Sequence, residues 1–138
     1  MKKFKKMFSI IMLICLLSMT ALAFAGGTDS YHGYISAVAE WDADLSITQY
    51  DDYAEASIFI DPYLPTNDLY CQIDLYIIQR DPVTQQISAK ESHIVADYVV
   101  YGSTGLSSDS GYYIVSAVSY HEAYCNGNID NANLSVGS

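Results

Sequence analysis

Hydrophobic and polar residues alternate along most of this chain, and no segment of the region after residue 25 repeats its apolar positions every three or four residues. Alternation is the period of a strand with one buried face. The clearest run is Leu69 to Arg80, where Cys71, Ile73, Leu75 and Ile77 lie on one side and Gln72, Asp74 and Tyr76 on the other. Tyr34 to Trp41 groups Ile35, Ala37, Ala39 and Trp41, and Tyr53 to Asp61 sets Ala56, Ile58 and Ile60 against Glu55, Ser57 and Asp61. Leu45 to Tyr50 reads as a short strand or a continuation of the first. Gln86 to Val95, Asp97 to Tyr101, Tyr112 to Cys125 and Ile129 to Val136 complete a set of about seven strands. The breaks carry turn chemistry. Pro62 and Pro65 exclude a central strand from Asp61 to Asp68, Asp81-Pro82 starts a turn, and Asn126-Gly127 is a strong two-residue hairpin signal. Short strands at this spacing predict an all-β sandwich.

The first 25 residues change the picture of where the chain works. Lys2, Lys3, Lys5 and Lys6 precede an apolar run from Met7 to Met19, and Ala23-Phe24-Ala25 offers small residues at both positions a signal peptidase reads. That run is too short to span a bilayer of about 30 Å as a helix. Cys15 lies inside it after bulky Ile14, a poor position for lipidation. The expectation is a cleaved leader over 1–25 and one secreted domain over 26–138, with no membrane span in the mature protein. About 113 residues make one core and not two.

Removing the leader leaves Arg80 and Lys90 against sixteen carboxylates, a net charge of −14. A field of that sign repels nucleic acid, anionic lipid and anionic wall polymers, so no nucleic-acid partner is expected; it weakly favours cationic ones. Cys71 and Cys125 are the cysteines that remain, and in an exported protein such a pair reads first as a disulfide. His32, His93 and His121 are too scattered for a zinc signature, and no cofactor is implied.

Asp109-Ser110-Gly111-Tyr112-Tyr113-Ile114-Val115-Ser116-Ala117 resembles the Asp-x-Gly-x-Tyr-x-Cys-x-Ala signature of immunoglobulin-like domains. The resemblance implies that Tyr113 is a corner tyrosine and that Tyr112 to Cys125 is the sixth strand, F. Val115 stands where that family has cysteine, the second strand offers Ala56 or Ile58, and the third lacks the family's tryptophan. The likeness is therefore to the wider immunoglobulin-like sandwich class, which includes disulfide-free fibronectin-type domains. In style the chain is also similar to small secreted sandwich proteins of Gram-positive bacteria. In such sandwiches Leu69–Arg80 would be strand C, antiparallel beside F, which brings Cys71 near Cys125 with matching parity. Pairing them sets Tyr76 opposite Tyr120, Asp74 opposite Glu122 and Gln72 opposite Tyr124, unless a bulge in F breaks the alignment.

The expected binding surface is therefore Asp74, Tyr76, Tyr120, Glu122 and Tyr124. Flat tyrosine rings with polar tips beside hydrogen-bond acceptors suit an extracellular glycan or protein ligand. Facing acids can do glycosidase work, but a flat sheet face lacks the cleft it needs, and no serine elbow or oxyanion motif accompanies a histidine. No catalytic residue is assigned. His121 is expected to face inward near Leu75, His93 to be within reach of Glu91, and His32 to lie in a poorly ordered start. Asp42, Asp44, Asp51 and Asp52, and separately Asn126, Asn128 and Asp130, carry oxygen ligands without an ordered calcium loop and read as solvated turns, so no metal is assigned. Two function classes follow: a non-catalytic binding module, or a structural subunit that self-associates through strand edges.

Overall fold

Eight strands form in chain order: β1 (Gly27–Ile35), β2 (Ala39–Ile47), β3 (Tyr53–Pro62), β4 (Leu69–Arg80), β5 (Ile87–Asp97), β6 (Tyr101–Ser107), β7 (Tyr113–Cys125) and β8 (Asn128–Gly137). The computed structural model describes residues 26–137; the leader expected over 1–25 lies outside them. Two antiparallel four-stranded sheets pack face to face, in the orders β1-β2-β3-β6 and β5-β4-β7-β8. This is the all-β sandwich that the alternation predicts. No helix among the described residues is long and apolar enough to cross a membrane.

Each sheet turns its apolar residues inward. Ile35, Trp41, Leu45, Ile58 and Ile60 come from the first sheet and Ile73, Leu75, Ile77 and Ile114 from the second, all almost wholly buried. Each such side chain contributes about 1.5–3 kcal/mol through the water it sheds. His121 also points inward, as expected, and is fully buried opposite Ile73. Burial pushes its imidazole down to about 4, because a charged ring would lose its hydration there. The backbone of Asp44 and Ser57 opposes this weakly. Neither ring nitrogen has a partner of proper hydrogen-bond geometry, so burial dominates.

The edges of the two sheets meet along both sides. On one side the Ser135 amide donates to Asp29 Oδ2 at 2.9 Å, and Trp41 Nε1 donates to Asp130 Oδ2 at 2.8 Å. On the other, Lys90 Nζ donates to the Ser107 carbonyl at 2.8 Å, and Ser92 and Thr104 hydroxyls lie 2.6 Å apart.

Several expectations are corrected. The run Tyr34–Trp41 is two strands, split by a turn at Ser36, whose φ is +51°. The polar segment before it is β1, so His32 is ordered and its Nδ1 lies 2.6 Å from Asp42 Oδ1. The strand expected over Asp97–Tyr101 is a turn, and β6 follows it through Gly102 and Gly105. Gly102 packs tightly there: a Cβ on it would sit 2.7 Å from Cys71 Sγ, whereas one on Gly105 would meet only the outer end of the Tyr53 side chain.

The cysteines are free thiols, not the expected disulfide. β4 and β7 are neighbours and both cysteines face inward, but Cys71 stands opposite Ala123 and Cys125 opposite Leu69. The pair is thus diagonal, a spacing of about 7–8 Å between Cα atoms in a regular sheet and beyond ordinary disulfide reach. The Asn126 amide bonds the Asp68 carbonyl at 2.9 Å just past both strand ends, which is consistent with this register. A bulge in β7 also occurs, opposite Ile78/Gln79. It turns Ile114 inward with Gln79, leaving Tyr113 opposite Arg80. The Tyr113 hydroxyl makes no hydrogen bond among the described residues.

Candidate functional site

The outer face of the second sheet carries a dense grouping of polar and aromatic side chains. Alternation in β4 sends Tyr70, Gln72, Asp74 and Tyr76 outward while Cys71, Ile73 and Leu75 fill the core; β7 does the same with Val118, Tyr120, Glu122 and Tyr124. The observed register then sets Tyr70 opposite Tyr124, Gln72 opposite Glu122, Asp74 opposite Tyr120 and Tyr76 opposite Val118. The edge strand β5 adds Glu91, His93 and Val95 beside Tyr76, Asp74 and Gln72.

Glu122 is the centre of this arrangement. Its two carboxylate oxygens accept hydrogen bonds from different tyrosines, Tyr70 at 2.5 Å and Tyr120 at 2.8 Å. Giving up either proton would place two negative charges in contact. The hydrogen bond to Glu122, with burial and the carboxylate's charge behind it, pushes Tyr70 up to about 12, and the same hydrogen bond leads the upward shift of Tyr120. Both hydroxyls therefore stay protonated donors. The rings of Tyr70 and Tyr124 stack with centroids 4.9 Å apart and planes 14° from parallel. Tyr124 is tied at its far end, its hydroxyl donating to Asp68 Oδ2 at 3.1 Å.

Asp74 is held from two sides. The Nδ1–H of His93 donates to Oδ1, and Gln72 Nε2 donates to Oδ2 at 3.1 Å. Burial pushes this carboxyl upward, but those two hydrogen bonds and the charge of His93 outweigh it and hold it below the usual carboxylate range. The result is two fixed carboxylates on a half-buried aromatic floor, with Tyr76 and Val118 standing more exposed beside them at 46% and 44%. Fixed acceptors and rigid rings lose little freedom when a ligand lands on them.

Of the residues expected in this surface, Tyr120, Glu122 and Tyr124 are drawn into one network through Tyr70, and Asp74 is adjacent across from Tyr120. Tyr76 stands one row further along, and Asp74 and Glu122 are not directly opposed. Sequence reasoning missed Tyr70 and His93. Tyr70 shares the parity of Gln72 and Asp74, which was the signal for it. His93 bonds Asp74 rather than Glu91, and only the register of the β4–β5 hairpin reveals that.

The acidic groups elsewhere do not converge. Asp42 pairs with His32, Asp130 accepts from Trp41, and Asp51 is buried in the β2–β3 turn. Among the described residues no group of three or more His, Cys, Asp or Glu side chains comes together as a metal site would need. No protein-family model, curated protein or solved structure matches the chain.

Proposed function

We propose that this is an exported, non-catalytic binding module whose β4/β7 face recognises an extracellular ligand, with a neutral or amine-bearing glycan as the first choice and a protein segment as the second. The observation that carries the reading is Glu122 clamped between the hydroxyls of Tyr70 and Tyr120 beside the stacked Tyr70–Tyr124 pair. Sugar rings lay their C–H faces on tyrosines and their hydroxyls on fixed acceptors. Sixteen carboxylates against Arg80 and Lys90 in the described residues oppose an anionic ligand. The basic, apolar and small-residue pattern of the first 25 positions supports export, with Gly26 as the mature start.

Kinship with immunoglobulin-like or fibronectin-type sandwiches belongs to the same reading. It is supported by β4 lying beside β7, by β3 lying beside β6, and by the Asp109–Ala117 segment that leads into β7. The rival class, a subunit that polymerises through strand edges, is opposed by the seams that join β1 to β8 and β5 to β6.

Titrating the secreted protein against neutral, amine-bearing and anionic oligosaccharides tests the proposal. Binding should be confined to the first two groups and should weaken at least tenfold in Tyr120→Ala and Tyr76→Ala. Concentration-dependent polymers with no glycan or peptide binding would favour the structural subunit instead.

A further inference from the structure

We infer that cleavage of the Ala25–Gly26 peptide bond turns Gly26 into a cationic ligand for the buried carboxylate of Asp51, an ion pair that locks the start of the mature chain into the sandwich. The inference rests on the processing position proposed above and extends it to a site that the new terminus would occupy.

The seat is already built. Gly26 N lies 3.3 Å from Asp51 Oδ1, and Asp51 is only 8% exposed. Gly26 has a φ of +63°, and a Cβ there would lie 2.7 Å from the Ile47 carbonyl oxygen and 2.8 Å from the Thr48 backbone. Only glycine brings its nitrogen this close without strain. Asp51 is fixed in turn. Its amide donates to the Thr48 carbonyl at 3.0 Å, and its own carbonyl accepts from the Ile114 amide at 2.6 Å.

What the seat lacks is a positive charge. A peptide amide at Gly26 supplies one N–H to a carboxylate that is largely buried and stands next to Asp52, a second acid. Burial pushes the Asp51 carboxyl up, the Gly26 amide opposes that, and the charge of Asp52 adds to it. Asp52 is occupied by the Thr48 hydroxyl at 2.6 Å, and β7 contacts Asp51 through the backbone of Ile114. Lys90 is engaged at Asp109, and among the described residues no cation pairs with Asp51. Hydrolysis supplies one. A water adds across the Ala25–Gly26 bond, the hydroxyl stays with Ala25 as its carboxylate, and the nitrogen leaves as an amine that takes up protons to become an ammonium. One donor becomes three, and a neutral partner becomes a charged one at the same place.

The sign of the pH effect follows. An α-amine that gains a carboxylate on folding is raised above its ordinary value of about 7.7–8.0, so, while Asp51 is ionised, its stabilisation is complete below that range and is lost as pH rises through the raised value.

The full chain, leader included, should be secreted from a Gram-positive host as wild type and Asp51→Asn, with the mature start read by intact mass. The amine is then titrated through the Cα carbon shift of Gly26 in glycine-labelled protein. A Gly26 start whose amine titrates at least one unit above an unpaired α-amine, returns to the ordinary value in Asp51→Asn, and loses its thermal advantage over that variant at high pH supports the lock. A Gly26 start with an ordinary amine in wild type overturns the lock and leaves the export reading standing, and this measurement needs no variant to fold. A product beginning at another residue, or one retained with its leader, overturns the processing position and the lock together.

Discussion

Gln79 and Asp109 hold each other at two points across the end of the sandwich. The fully buried amide of Gln79 donates from Nε2 to Asp109 Oδ2 at 2.6 Å, and its Oε1 accepts from the Asp109 backbone N–H at 2.7 Å. The same Nε2 lies 2.9 Å from Ser88 Oγ. A polar side chain on the inward parity of β4 is tolerated because every group it presents is met, and it anchors the turn that launches β7. Gln79→Leu removes these hydrogen bonds of a fully buried side chain at once and should cost about 1–2 kcal/mol in urea unfolding. Gln79→Glu should cost more, since it sets a second carboxylate against that of Asp109.

His121 makes the fold sensitive to acid. Its folded value is about 4 against 6.5 for a free ring, so between those values the unfolded chain takes up a proton that the folded one refuses. Stability is intact above about pH 6.5 and falls as pH drops toward 4, by roughly 3 kcal/mol from this group alone. Urea midpoints measured from pH 7 to pH 4.5 should show the decline, and His121→Leu should remove most of it. A decline of equal size in that variant would assign the effect to other groups.

Cys71 and Cys125 should behave as inert thiols. Burial pushes both upward, with Asp68 adding to the effect at Cys125. A thiol reagent should therefore count neither in the native protein and both once it is unfolded, and the thermal midpoint should be the same with and without reductant. A bonded pair would give no thiols and a lower midpoint on reduction.

The contact between Gly102 and Cys71 Sγ gives a matched pair of variants. Gly102→Ala drives a methyl to 2.7 Å from the sulfur and should cost about 1–3 kcal/mol by overpacking. Combining it with Cys71→Ala should recover part of that loss, a coupling visible in a double-mutant cycle.

At the candidate surface, Glu122→Gln should bring the ionisation of Tyr70 down from about 12 toward the ordinary 10 and should also lower that of Tyr120. Ring carbon shifts followed through alkaline titration will show both. Tyr70→Phe should cost about 1 kcal/mol of stability, the exposed portion of the site screening the rest.

Strand alternation made β4 legible to its end residues, because every inward position from Cys71 to Ile77 is apolar. β1 and β6 were hidden for the opposite reason. Their sequences, Gly27–Ile35 and Tyr101–Ser107, are rich in Gly, Ser and Thr and lack an apolar face of their own; they become strands by pairing with β2 and β3. Parity told which face Asp74, Tyr120 and Glu122 occupy, yet a slide of two residues preserves parity everywhere. No hydrophobic pattern can then distinguish Asp74 opposite Glu122 from Asp74 opposite Tyr120. The bulge in β7 was equally silent, since Ile114 and Val115 are both apolar. Tyr70, His93 and the clamp on Glu122 belong to the register and hairpin geometry, and so lay beyond what alternation can show.

The bond from Trp41 to Asp130 ties β2 to β8 across 89 positions, and the β1–β8 seam beside it brings together the two ends of the described chain. The core of the first sheet thus stays open until the last hairpin arrives. Contacts so distant along the chain form slowly, so a partly synthesised molecule has no finished half in which to rest. The sandwich should accordingly close late and as a single unit, once the β7–β8 hairpin is in place.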